Sequence, residues 1–144
     1  MTIKILLLEG PDRVGKSAIM KKILEKTNKY IIVHRFAASQ WVYRPILNKN
    51  KPSLSLRKCL EVDSLLIDHA VYVFLVATAE DLKHRKQNSH DKDIKYKNDM
   101  LTPILFRYNT YFEKTSLPVI WINTSMLSID QTVTKILKAV KKYD

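Results

Sequence analysis

The chain has 144 residues, 46% of them hydrophobic, which suffices for one core but not for two ordinary domains, so a single domain over residues 1–144 is expected. Its formal charge of +11 directs attention to polyanionic partners, either nucleotide phosphates or nucleic acid, while its one cysteine, Cys59, excludes an internal disulfide framework. No run approaches the roughly 20 apolar residues of a membrane helix, and the amino terminus lacks a signal-peptide pattern, so the expectation is a cytoplasmic protein with no membrane partner.

Ile3 to Leu8 reads as a strand buried on both faces of a parallel sheet. Gly10-Pro11-Asp12-Arg13-Val14-Gly15-Lys16-Ser17 then fits G-x-x-x-x-G-K-[ST], the Walker A pattern, between that strand and a helix-like segment. Backbone N–H groups of such a loop and of the following helix N-terminus converge on a phosphate, Lys16 sets a point charge on it, and the Ser17 hydroxyl is suited to ligating Mg²⁺. The chain has only two glycines, and both stand where the motif requires backbone freedom. The candidate nucleotide-binding set is Gly10, Asp12, Arg13, Val14, Gly15, Lys16, Ser17 and Ala18.

Ile19, Met20, Ile23 and Leu24 recur at helical spacing, with Asn28 as the stop. Tyr30 to Val33 is a second strand, and Arg35, at its carboxyl end, is expected to emerge beside the first loop. Ala37 to Leu47 carries Ser39, Trp41 and Tyr43 and then Arg44-Pro45, where helical continuation is disfavoured. Asn48 to Ser53 reads as a surface loop, and Leu54 to Asp68 as a helix with Leu56, Cys59, Leu60, Leu66 and Ile67 inside.

Val71 to Ala77 is the clearest strand. Thr78 caps a helix that runs into Lys83-His84-Arg85-Lys86, and the polar run that follows suggests a mobile cationic lid over about residues 84–95. A helix covers much of Ile94 to Lys114, with Leu101, Ile104, Leu105, Tyr108 and Phe112 on one side and Pro103 kinking it or starting its second half. Leu117 to Ile122 is a fourth strand. Ser128 with Gln131 forms a capping box ahead of the stripe Ile129, Val133, Ile136, Leu137 and Val140. The strand–helix alternation argues for an α/β protein of P-loop NTPase fold, a parallel sheet flanked by helices in a reduced nucleotide-kinase core.

Two blocks carry a family resemblance. Glu9-Gly10-Pro11-Asp12-Arg13-Val14-Gly15-Lys16-Ser17 resembles the phosphate loop of thymidylate kinases, with its acidic residue before the first glycine and Asp-Arg inside the loop. His34-Arg35-Phe36-Ala37-Ala38-Ser39-Gln40-Trp41-Val42-Tyr43 is similar to the family's Asp-Arg-aromatic segment, although His34 replaces its Asp. The compact layout looks most like the thymidylate kinase-like proteins of bacteriophages and other viruses, which would place it in a host cytoplasm.

The resemblance implies ATP- and Mg²⁺-dependent phosphoryl transfer to a deoxynucleoside monophosphate, dTMP or a related pyrimidine nucleotide. It also implies that Asp12 contacts the acceptor sugar, that Arg13 approaches the acceptor phosphate and that Arg35 bridges the transferring group. Arg35, Phe36, Ser39 and Tyr43 would line the acceptor pocket, and Arg85, with Lys86 or Lys92, would belong to the lid. Lys16, Arg13, Arg35 and Arg85 are thus the candidate catalytic residues, and Ser17 is the candidate metal ligand. A hydroxyl acceptor would need Glu9 or Asp12 as base, whereas a phosphate monoester would not.

Other readings stay open. Arg35 can be a strand-end arginine bonding carbonyls, and Trp41 a core-facing anchor. The charge and the short connection before Tyr30 admit a kinase acting on a modified base or an end within DNA. His34 admits a catalytically weak nucleotide-binding protein. Monomer and homodimer are equally open.

Overall fold

A computed structural model describes residues 3–11, 14–47, 54–78, 80–82 and 100–143 of the chain. Its elements are β1 (Ile5–Glu9), α1 (Lys16–Lys26), β2 (Ile31–His34), α2 (Ala37–Leu47), α3 (Leu56–Ser64), β3 (Ala70–Val76), α4 (Leu101–Lys114), β4 (Val119–Asn123) and α5 (Ile129–Val140), with a 3₁₀ turn at Lys141–Tyr143. The four strands are all parallel, in the order β2-β1-β3-β4. The chain leaves β1 toward β2 and then crosses back to β3, so the direction of winding reverses at β1, the point whose carboxyl end carries the ligand crevice in open α/β sheets.

Because strand side chains alternate between faces, β1 and β3 build two different cores. Leu6, Leu8, Val71, Val73 and Leu75 meet Ile19 and Ile23 of α1 and Val133, Ile136 and Val140 of α5 in an aliphatic layer. Leu7, Tyr72 and Phe74 face the other way, toward Ala38 and Val42 of α2 and Ile104, Tyr108, Tyr111 and Phe112 of α4. The Phe74 ring lies 4.7 Å from Tyr108 and 4.9 Å from Phe112 between centroids. Each such ring, fully buried, contributes about 1.5–3 kcal/mol. The same parity sends Glu9 to the aromatic side, under α2 and α4.

Pro45 corrects the expectation that the helix stops before it, since α2 continues through it to Leu47. Proline has no N–H for the carbonyl four residues back, which is Trp41. That carbonyl is taken instead by Arg107 of α4, whose Nη2 donates to Trp41 O at 2.6 Å while the guanidinium lies 3.7 Å from the Trp41 ring centre. Pro103 sits in the first turn of α4, where its missing N–H costs no helical bond. The helix expected to reach Asp68 ends at Ser64, because residues 65–69 turn the chain into β3, with Asp68 at φ 72°.

Leu24, Ile67 and Ile129, expected inside, are about half exposed, because the inward arcs of their segments are narrower than the apolar stripes. The second strand lies at the edge of the sheet, its residues exposed or half-buried. The Ser128–Gln131 capping box is complete in both directions. Thr78 Oγ1 accepts from the Asp81 N–H at 3.1 Å and caps the short helical stretch at residues 80–82. The expected loop at 48–53 and the expected lid at 84–95 lie outside the described residues. Among the described residues, no helix is long and apolar enough to cross a membrane.

Candidate functional site

The loop after β1 is held by backbone geometry. Gly10 adopts φ 145°, and a Cβ there would be driven into the carbonyl oxygen of Leu75 on β3, with Val14 Cγ2 3.2 Å away on another side. Gly15 caps α1 in the left-handed region at φ 90° and ψ 24°, and as a glycine it offers no side-chain cap to the N–H groups of the first turn. No acidic residue stands in that first turn, so the turn itself does nothing to offset the positive end of α1. Lys16 is buried, and its Nζ donates to the carbonyls of Gly10 and Pro11, both at 2.8 Å. Val14 is buried against the loop, whereas Ser17 and Ala18 are exposed beyond it. Asp12 and Arg13, like Arg85, lie outside the described residues.

Glu9 ties this loop to the next strand. Its Oε1 accepts the backbone N–H of Phe36 at 2.6 Å and of Ser39 at 3.2 Å. Its Oε2 accepts the Ser39 hydroxyl and the Tyr108 hydroxyl, the latter at 2.9 Å. Burial pushes the Glu9 carboxyl up from its ordinary value, against the pull of Ser39, the Phe36 N–H, Tyr108 and the Arg35 charge. Burial and the Glu9 charge in turn raise Tyr108 and keep its phenol protonated as a donor. With its oxygens committed to four donors inside the protein, Glu9 organises the site and cannot reach an acceptor as a base, which corrects one of the two base assignments.

Arg35 emerges beside the loop, as expected. Its N–H donates to Leu8 O at 2.9 Å, and it adopts φ 68°, a left-handed conformation that strains a residue with a Cβ. Its guanidinium carbon lies 4.6 Å from the Tyr43 ring centre, and Nη1 is 3.5 Å from Ser39 Oγ. Tyr43 in turn donates its hydroxyl to Gly10 O at 3.4 Å. The structure therefore brings Gly10, Lys16, Arg35, Phe36, Ser39 and Tyr43 to one end of β1 and β2. His34 pairs with Leu8 at the end of β2 and is exposed.

Two residues that sequence reasoning missed support this corner. Tyr108 reads as one apolar position in a helical stripe, yet its hydroxyl joins Glu9, Ser39 and the Gly10 backbone. Asp63 reads as a surface aspartate but is buried, accepting from Tyr72 at 2.7 Å, Tyr111 at 2.8 Å and Thr115 at 2.6 Å. Tyr72 also accepts the Ala38 N–H at 3.3 Å, so the first turn of α2, which carries Ser39, is anchored through β3 to α3. The available signal was charge within apolar surroundings: a buried carboxylate demands donors.

No protein-family model matches the chain, and no curated protein matches it. Among solved structures, the YorR protein of Bacillus subtilis, crystallised in complex with phosphorylated GDP, superposes with a TM-score of 0.78 over 96% of this chain and 96% of that one, at 20% identity. At that identity the likeness shows the fold alone, a parallel α/β sheet flanked by helices.

Proposed function

We propose that the chain is a nucleoside monophosphate kinase of thymidylate-kinase type, moving the γ-phosphoryl group of ATP to a deoxynucleoside monophosphate, dTMP or a related pyrimidine nucleotide. One observation carries the reading: a glycine-built loop with buried Lys16 stands at the same end of β1 and β2 as Arg35, which rests on Tyr43 and Ser39. The neighbour's phosphorylated nucleotide supports phosphate chemistry on this fold.

The residues suit the groups the reaction needs. Gly10 leaves the loop backbone open where a Cβ has no room, the first turn of α1 begins at a glycine with no side-chain cap, and the Lys16 ammonium rests on loop carbonyls it can exchange for phosphate oxygens. Ser17 is exposed in that first turn and would hold Mg²⁺. When bound, the ion neutralises charge on the phosphate oxygens. An acceptor phosphate oxygen bonds to the γ-phosphorus as the bond to the β,γ-bridging oxygen breaks and ADP leaves. Lys16 and Arg35 hold the charge that spreads over the equatorial oxygens. Arg13 and Arg85 would add to them. Asp12 would fix the acceptor sugar, and Phe36, Ser39 and Tyr43 the acceptor side. A monophosphate acceptor needs no general base, which agrees with a Glu9 locked away from solvent.

The test is labelled ATP with Mg²⁺ against dTMP, dUMP, dCMP and dGMP, and separately against DNA. Transfer to dTMP that disappears in Lys16→Ala and Arg35→Ala supports the proposal. Transfer only to DNA, or nucleotide binding without turnover, overturns it.

A further inference from the structure

The lysines of this protein are not spread evenly over its surface. The aliphatic layer carries Lys21, Lys22, Lys26 and Lys29 on or just after α1, and Lys135, Lys138, Lys141 and Lys142 on α5 and its terminal turn. Among the described residues two acids share that face, Glu25 and Asp130, and Lys22 and Lys26 answer both: Lys22 lies 3.7 Å from Glu25 and 3.5 Å from Asp130, and Lys26 lies 3.9 Å from Asp130. Lys21, Lys135, Lys138, Lys141 and Lys142 are all exposed and have no ion pair among the described residues. No acidic residue occurs from Gln131 to Tyr143.

A lysine or two at a helix C-terminus is explained by the helix dipole. Four within eight residues, at three- and four-residue spacings, repel one another instead, and a polyanion relieves that repulsion. The buried stripe of α5, Thr132, Val133, Ile136 and Val140, is turned inward, so this helix has no apolar face to lay on a membrane, and Leu24 and Ile129 alone stand half exposed on the two helices. At a rise of about 1.5 Å per residue, Lys135 to Lys142 spans about 10 Å, and with Lys21 on α1 it forms one cationic strip that can meet several successive phosphates.

We propose that the outer face of α1 and α5 is a docking surface for the phosphate backbone of nucleic acid, read by charge and not by base sequence. It does not rest on the kinase reading. The test is fluorescence anisotropy of a labelled single-stranded oligothymidylate with the full chain, titrated from 50 to 200 mM salt. Five lysine–phosphate contacts, at about −0.7 each, give a log–log salt slope of about −3.5, a loss of roughly 100-fold across that range. The variant Lys135→Gln/Lys138→Gln/Lys141→Gln/Lys142→Gln is expected to lower the slope to about −0.7 and weaken binding at least about tenfold at 50 mM salt. Its melting temperature and its turnover on free nucleotides should not fall. Lys138→Glu alone should weaken binding in the same direction, and Arg57→Gln/Lys58→Gln/Lys114→Gln, on the opposite layer, should leave it unchanged. Absence of salt-dependent binding, an unaltered slope in the fourfold variant, or preference for phosphatidylserine vesicles over the oligonucleotide would overturn the proposal.

Discussion

The two glycines of the loop are expected to respond differently to the same added methyl group. Both have positive φ, so alanine at either costs backbone strain of about 1–3 kcal/mol. At Gly15 that is nearly the whole cost, because the nearest atom to an added Cβ is Ile19 Cδ1, 3.8 Å away, an ordinary contact. At Gly10 the methyl group also meets the Leu75 carbonyl, whose carbon is 3.3 Å away, and that backbone belongs to the paired central strand β3. Separating β1 from β3 there adds an overpacking cost of roughly 1–3 kcal/mol. At an unfolding entropy of about 2 cal/mol/K per residue, each kcal/mol is worth about 3 °C in this chain, so Gly15→Ala should lower the melting temperature by about 3–9 °C and Gly10→Ala by about 6–18 °C. Circular dichroism melts of both variants against wild type provide the measurement. Equal melting temperatures for the two variants would refute the claim that the loop is pressed onto β3.

Four further outcomes follow from individual contacts. Arg35→Gly should be about 1 kcal/mol more stable than Arg35→Ala in urea titrations, because only the alanine keeps the left-handed strain, while both lose nucleotide binding. Arg107→Ala should destabilise by about 2–3 kcal/mol, but only about half as much in a Pro45→Ala background, where the new N–H can serve the Trp41 carbonyl; a double-mutant cycle measures the coupling. Because burial raises the Glu9 carboxyl in the folded state, its protonated form favours folding. That contribution is fully present below the ordinary value of 4.5 and is lost as pH rises through the raised folded value, so the stability difference between wild type and Glu9→Gln should move against wild type over that window in urea titrations. Nucleotide at about 100 times its dissociation constant should stabilise the protein by about 2.7 kcal/mol, and Lys16→Ala should abolish the resulting rise in a thermal-shift assay.

The sheet was legible because its strands are short apolar runs and the loop after the first strand holds both glycines of the chain. The emergence of Arg35 beside that loop follows from parallel strands ending at a common edge, a rule that needs no side-chain detail. Partners across long separations were not legible. Glu9 meets Tyr108 across 99 residues, and nothing local to either tyrosine or glutamate selects the other. Pro45 misled for the opposite reason: the local rule is sound, but the cost it describes is offset by an arginine 62 positions downstream of it, through a carbonyl that proline itself leaves open. Leu24 and Ile129 show periodicity overstating the buried arc, since a helix resting on a sheet hides fewer positions than a stripe of apolar residues suggests.

Features that cost stability gather around one spot. A fully buried carboxylate, a strained arginine, a buried ammonium resting on carbonyls, and a helix start without a side-chain cap all lie at the carboxyl ends of β1 and β2. The aromatic layer holds them, with Phe74 packed on Tyr108, whose hydroxyl bonds Glu9 and Ser39. Such an arrangement would be a poor way to build a strand–turn–helix corner for its own sake, because an apolar residue at position 9 would remove the desolvation cost at once. Under the proposed kinase reading it is preorganisation: Glu9 draws the Phe36 and Ser39 backbone toward β1, which holds Arg35 at the end of the loop before a nucleotide binds, so that the electrostatic cost of assembling two cations there falls on the fold and not on the ligand.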